Sequence, residues 1–253
     1  MSPSASRRRE WIRAAVSFGL TLAAITAAKI AIAEPYYVPS GSMEPTLLIG
    51  DELLATKYPY GYSTASLPAF VVLPDTPRIL GVLPERGDIV VFRWPGDRSQ
   101  IWVKRVIGLP GDRIALRSGR LWINGAPVGQ RPDGAGRIAL DNGSFLPTRR
   151  FVETLPGGRE HAIVKMMAAN DNLDDMAEIV VPPDRLFVMG DNRDNSADSR
   201  VPVAAGGVGL LPVGNLVGRV NTLVGSWDPA IKYQPIWTWP SGMRLSRFFA
   251  AVR

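Results

Sequence analysis

One apolar stretch in this chain of 253 residues, Ile12 to Ala33, has the length to cross a membrane. As a helix, its 22 residues reach about 33 Å at ~1.5 Å each, against a hydrocarbon core of about 30 Å. Lys29 limits the charge-free part to Ala14–Ala28, and a lysine that close to the end snorkels to the interface. Arg7, Arg8, Arg9 and Arg13 cluster at the start, so the positive-inside rule keeps the amino terminus in the cytoplasm and puts everything after Ala33 outside. The same order of features, ending in Ala31-Ile32-Ala33, also fits a cleavable signal peptide. The anchor is preferred because the apolar run exceeds an ordinary signal-peptide core, and a mature amino terminus at Glu34 would reverse that preference.

Beyond this segment, 25 glycines and 22 prolines break up long helices and favour short strands joined by tight turns. Gly87 to Phe92 reads as a turn feeding a buried strand, and Ile101 to Ile107 as a second strand stopped by Gly108-Leu109-Pro110-Gly111-Asp112. Alternation puts Trp102, Lys104 and Val106 on one strand face and Ile101, Val103, Arg105 and Ile107 on the other. Arg113–Arg117 and Arg120–Ile123, parted by Ser118-Gly119 and followed by Asn124-Gly125, form a meander with glycine turns of hairpin type. Pro127 to Pro183 reads as a less regular β insertion, and Arg185–Met189 as a return to a core strand. Tyr58 to Arg86 reads as an extended surface loop. The expected fold is mainly β: an antiparallel β-sheet catalytic core with an inserted smaller β subdomain, preceded by one N-terminal transmembrane helix. The boundaries are 1–11 cytoplasmic, 12–33 anchor, 34–112 and 184–225 core, 113–183 insertion, and 226–253 an aromatic and basic tail.

Pro39-Ser40-Gly41-Ser42-Met43-Glu44-Pro45-Thr46 follows the anchor closely. Nine residues reach Ser42, so even an extended linker covers only about 30 Å at ~3.3 Å per residue. A nucleophilic serine needs a base, and a chain with one histidine and no cysteine points to lysine. Taken singly, Ser42 reads as a turn serine and Lys104 as a charge guarding a strand edge. Gly190 to Arg200 resembles a calcium loop only loosely, because Arg193 and Arg200 interrupt the acidic spacing and the closing glutamate is missing. Its two arginines and three aspartates are expected to neutralise one another in a packed network.

Together these segments resemble the conserved boxes of bacterial type I signal peptidases, membrane-bound Ser/Lys proteases. Pro39 to Leu47 is similar to the nucleophile box, Gly87 to Phe92 to a core-strand box, Lys104 to Asp112 to the general-base box, and Gly190 to Arg200 to the last. With Leu216-Val217-Gly218-Arg219 the likeness runs from Tyr36 to about Val220. It implies Ser42 as nucleophile, Lys104 as general base and Ser40 as an oxyanion donor beside the Ser42 N–H. It further implies Ser196 as a hydroxyl orienting the lysine, with Asp198 and Arg200 in support. Val38, Met43, Trp102 and Val103 are expected to line shallow substrate pockets. The implied activity is removal of signal peptides from exported preproteins at Ala-x-Ala sites, at a bacterial inner membrane with the catalytic domain on the periplasmic side. Signal peptides and the lipid bilayer are the implied partners, with a secretion translocon as a candidate contact. A Ser/Lys peptidase dedicated to one pilin-like substrate, and an inactive peptide-binding module, are the alternatives.

The net charge of +6 suits nucleic acid or an anionic membrane equally. Placement favours the membrane: Arg244, Arg247 and Arg253 lie among Trp237, Trp239, Phe248 and Phe249, and no nucleic-acid signature is present. No cofactor is expected. His161 without a second imidazole makes a metal centre unexpected, and it reads as a surface or strand histidine.

Overall fold

The computed structural model describes residues 3–68, 71–74, 76–139, 145–166 and 173–252. The Lys29 side chain and Arg253, both weighed above, lie outside what is described. The chain opens with helix α1, Pro3–Ala31. Its bounds differ from the expected 12–33, and the reason at the far end is local. Pro35 disfavours helical backbone at Glu34, and the Ile32 carbonyl accepts from Lys57 N at 2.9 Å, drawing the chain into a sheet. From Arg7 to Ala27 every residue of α1 is exposed, and the end of the helix meets the body where the Tyr62 hydroxyl donates to the Ala31 carbonyl at 2.5 Å. Among the described residues no helix is long and apolar enough to cross a membrane.

The remainder is mainly β, in three antiparallel sheets. The largest is built from β1 (Ala33–Tyr37), β2 (Asp51–Thr56), β3 (Ile89–Trp94), β4 (Asp97–Gly108), β12 (Arg185–Met189), β13 (Leu211–Pro212) and β14 (Leu216–Ser226), in the order β1-β2-β14-β3-β4-β12-β13. β3 shows why its sequence is apolar without a break. Ile89 and Val91 join one core cluster with Leu53 and Val217, while Val90 and Phe92 join another with Val188 and Leu216. A strand covered on both faces has no polar side to present, and each such side chain adds about 1.5–3 kcal/mol when buried.

Between β4 and β12 the chain makes the other two sheets. β5 (Arg113–Arg117), β6 (Arg120–Ile123), β7 (Ala126–Pro127) and β11 (Met176–Val180) form one of them. Both expected hairpin turns are present: Ser118-Gly119 at φ 49° and 72°, and Asn124-Gly125 at φ 53° and 80°. Two consecutive left-handed residues match the twist of the flanking strands. β8 (Gly129–Ala139), β9 (Phe145–Thr154) and β10 (Glu160–Met166) form the third sheet. The β character of the expected insertion is present, and this sheet is more regular than expected. β8 and β9 are long but interrupted by arginines, glycines, prolines or threonines, so they lack the apolar run by which a strand is recognised.

The stretch from Tyr58 to Arg86 is largely loop, as expected, with short 3₁₀ turns at Tyr58–Tyr60 and Thr64–Ser66. In the tail Trp237, Trp239 and Phe249 stay exposed, while two arginines do not. Arg244 and Arg247 turn inward, to the Ile49 carbonyl and to Asp51, and not toward a surface. Val252 N donates to the Asn221 carbonyl, which ties the tail to β14.

Candidate active site

Ser42 sits in a 3₁₀ turn, Gly41–Met43, between β1 and β2, with Ser40 as the extended residue before it. Met43 and Leu47 are buried in the core just beyond, which pins the turn to the sheet. Lys104 comes from β4. Its Nζ donates to Ser42 Oγ at 2.9 Å and to the Val103 carbonyl at 3.0 Å. Both residues are buried, at 8% and 4% exposure, and the ammonium lies 5.4 Å from the centroid of the Trp102 ring. Burial lowers the Lys104 pKa to about 8, with Asp198 and Asp191 pulling weakly the other way. A lysine shifted that far is neutral in a substantial fraction of molecules near pH 8.

The pair opens into a groove of about 460 Å³ lined by Tyr36, Pro39, Ser40, Ser42, Ile101, Trp102, Val103 and Lys104, among others. β1 and β4 are separated by three strands in the sheet order, so the sheet must coil strongly for both to reach one groove. β12 pairs with β4 only up to Arg105, which leaves Ile101 to Lys104 with no β12 partner on that edge. The groove therefore runs along strand backbone. Trp102 stacks on Trp94 with ring centroids 5.1 Å apart, which fixes one wall.

The expected pocket residues divide. Trp102 and Val103 line the groove, whereas Val38 and Met43 are fully buried in the core beneath and are not among its lining. Tyr36, Leu53 and Ile101, which do line it, escaped sequence reasoning. Their only signal was alternation along β1, β2 and β4, and alternation does not say which core face is open.

The segment from Gly190 to Arg200 forms the back wall. Gly190 permits the close approach, since a Cβ there would lie 2.4 Å from the Ser42 carbonyl oxygen and 2.3 Å from Ser196 Oγ. Ser196 is buried, and among the described residues its Oγ has no hydrogen-bond partner, Lys104 included. Asp198 accepts from Gly190 N at 3.0 Å and is held by Arg200 at 2.9 and 2.8 Å. Burial pushes the Asp198 carboxyl upward, but the Arg200 charge and hydrogen bonds carry it below the ordinary value.

The expected self-neutralising loop needs correcting. Only Asp198 and Arg200 pair within it. Asp191 is gripped through both oxygens by Arg105 of β4, at 2.8 and 2.7 Å, and Arg193 grips both oxygens of Glu153 on β9. The loop is thus cross-tied to two sheets, through partners 86 and 40 residues away. His161 is a strand residue on β10, buried and not at the surface, 3.6 Å from Glu153. Burial and then the Arg105 charge hold its pKa at about 3, so it is neutral. Among the described residues no group of side chains could hold a metal ion.

Comparison with known proteins identifies the family. Residues 8–227 match the family model described as signal peptidase, peptidase S26. A signal peptidase I of Rickettsia typhi is 38% identical over 251 residues, covering 92% of this chain and 90% of that protein. The signal peptidase I of Rickettsia rickettsii is 36% identical over 260 residues, covering 96% and 92%. A crystal structure of a signal peptidase I from Enterococcus faecalis aligns with 55% of this chain and 97% of its own, at 24% identity and a TM-score of 0.32. With most of its length matched by the family model, the chain belongs to the peptidase S26 signal peptidase family.

Proposed function

We propose that this signal peptidase cleaves exported preproteins with Ser42 as nucleophile and Lys104 as general base. The observation that carries the reading is the buried 2.9 Å contact between Lys104 Nζ and Ser42 Oγ at the floor of a groove. With Nζ neutral, the direction of that bond reverses and the hydroxyl proton points at the amine. As Ser42 Oγ bonds to the scissile carbonyl carbon, its proton passes to Nζ. The carbonyl oxygen becomes an oxyanion, stabilised by the Ser42 N–H and by the Ser40 hydroxyl at the groove rim, each worth ~3–4 kcal/mol in comparable sites. The lysinium then gives its proton to the leaving nitrogen as the C–N bond breaks. Water, deprotonated by the same amine, releases the acyl group and restores Ser42.

Ser196 has its hydroxyl free to orient the amine, and Asp198 with Arg200 keeps the back wall in place. An extended substrate would pair with the open edge of β4, so that its −1 and −3 side chains point into the enzyme together. Val103 and Trp102 line the space they would meet. Val38 and Met43 close it from beneath and exclude bulk, which makes Ala-like residues the accepted ones.

The same reading assigns residues 12–33 to a membrane anchor, with 1–11 in the cytoplasm of a bacterial cell and the rest on the periplasmic side. Its support is that α1 exposes Ile12, Val16, Phe18, Leu20, Leu22 and Ile25 to nothing but solvent or lipid. Segments 34–112 and 184–225 would then be the catalytic core, 113–183 an insertion and 226–253 an accessory tail, with the bilayer and a secretion translocon as neighbours. The test is cleavage of a purified preprotein bearing an Ala-x-Ala site, read by intact mass, with wild type and Lys104→Ala in detergent. One cut after the −1 alanine, lost in the variant, supports the reading. No cut by intact wild type overturns it.

A further inference from the structure

We propose that Asn192 is a positioning residue for the oxyanion site, acting through the peptide unit that joins Gly41 to Ser42. The inference rests on Ser42 being the nucleophile. Asn192 is fully buried in the back wall, and its side-chain Nδ2 donates to the Gly41 carbonyl oxygen at 3.1 Å. Its backbone N–H donates to the next carbonyl, that of Ser42, also at 3.1 Å. One residue thus holds two successive carbonyls of the turn that presents the nucleophile.

The geometry of a trans peptide gives this contact its consequence. The Gly41 carbonyl and the Ser42 N–H belong to one rigid plane and point in opposite directions. Holding the oxygen from behind therefore aims the N–H forward, toward the groove. Rotation of this plane would swing the donor away from the oxyanion while leaving Ser42 Oγ and Lys104 close to their places. Glu44 N also donates to the Gly41 oxygen, at 3.1 Å, so that carbonyl carries two donors. Hydrogen bonds to a carbonyl polarise the amide and strengthen its N–H as a donor. Asn192 accordingly both aims and sharpens the group on which the developing charge rests.

The amide's other atom sets the test. Asn192 Oδ1 is buried with no partner among the described residues. Asn192→Leu keeps nearly the same volume and retains the backbone N–H. It removes an acceptor that makes no bond together with the one donor that matters, and the Gly41 oxygen keeps the Glu44 N–H, so no buried group is left unsatisfied. Thr46→Val serves as the control. Its hydroxyl donates to Asp191 at 2.5 Å, so it staples the same loop to the same segment without touching the Gly41 peptide.

The experiment measures kcat and KM on the Ala-x-Ala preprotein and inhibition by a peptide aldehyde, which forms a tetrahedral adduct on an active serine. For Asn192→Leu, kcat is expected to fall about 10- to 100-fold with KM nearly unchanged, the scale set by loss or misplacement of one oxyanion donor. Aldehyde affinity should fall in step with kcat/KM, and the acidic limb of the pH profile should stay where Lys104 puts it. Thr46→Val should lower thermal stability and leave aldehyde affinity unchanged. If Asn192→Leu does not fold, Asn192→Ala carries the same expectations. Wild-type kcat in a folded Asn192 variant would overturn the proposal. So would a lowered kcat with unchanged aldehyde affinity, or an equal loss of affinity in Thr46→Val. Wild-type protein that neither cuts nor binds the aldehyde would instead sink the Ser42 reading, and this inference with it.

Discussion

Lys104 and Arg105 are neighbours on β4 that meet opposite fates: Arg105 is clasped by Asp191 at 2.7 Å, whereas Lys104, equally buried, makes no ion pair among the described residues. A strand sends successive side chains to opposite faces, so one cation braces the scaffold while the next is left with a hydroxyl and a carbonyl. The lysine, with no ion-pair partner among the described residues, is free to become neutral.

The pH profile follows from that difference. The Lys104 pKa is lowered to about 8 by burial, and the proposed mechanism uses the neutral amine. Initial rates of kcat/KM against pH should rise tenfold per unit below about pH 8 and level off above it. A profile already flat from pH 6 would contradict this.

Burying Lys104 also costs stability. Its folded pKa of about 8 lies below the ordinary 10.5, so between these values the unfolded chain binds the extra proton and stability rises with pH. Below about pH 8 the full penalty applies. Lys104→Met should abolish cleavage yet raise unfolding free energy at pH 7, by on the order of 1–3 kcal/mol after its lost hydrogen bonds are counted. Denaturant titration of both proteins checks this, and a less stable Lys104→Met would refute it.

Asp191→Asn should be among the most damaging changes outside the groove. It removes the Asp191 charge from the buried pair with Arg105, and breaking such a pair costs about 3–5 kcal/mol. Burial raises the Asp191 carboxyl, but Arg105 carries it below the ordinary 3.8, so the stability it supplies is present above that value and lost as pH falls below it. The gap between the urea midpoints of wild type and variant should be narrower at pH 3 than at pH 7. A gap no smaller in acid would rule out the charge as its source.

Val103→Ala should widen the groove. Preproteins with leucine or phenylalanine at −3 should become substrates, while alanine at −3 is cut about as before. One methylene in such a pocket is worth about 1–3 kcal/mol, or a 10- to 200-fold shift in preference. Mass-spectrometric competition between −3 variants measures it, and unchanged discrimination would remove Val103 from the pocket.

Arg247→Ala tests whether the tail braces the site. Arg247 donates to both oxygens of fully buried Asp51 and to the Thr46 carbonyl, four residues beyond Ser42. Losing it should cost about 2–3 kcal/mol, since Asp51 remains buried with less compensation. A thermal midpoint equal to wild type would show the tail to be dispensable.

The sequence by itself determined the mainly β class, the two glycine hairpins, the buried strand within Gly87 to Phe92 and the grouping of Ser42 with Lys104. Each follows from rules that act over a few residues, such as alternation, left-handed turn positions and the shortage of other bases, or from boxes that are themselves short. Tertiary structure alone decided the rest. Arg105 was read as a strand-face residue and found its carboxylate 86 positions away, and Glu153 carried no local sign that Arg193 would reach it. The arginine-rich β8–β10 sheet hid because its strands lack an apolar period. Tyr36 on β1 lines the groove, whereas Val38, just past the end of that strand, lies buried beneath it. Long-range pairing of charge depends on how a sheet coils, and coiling is a property of all seven strands together.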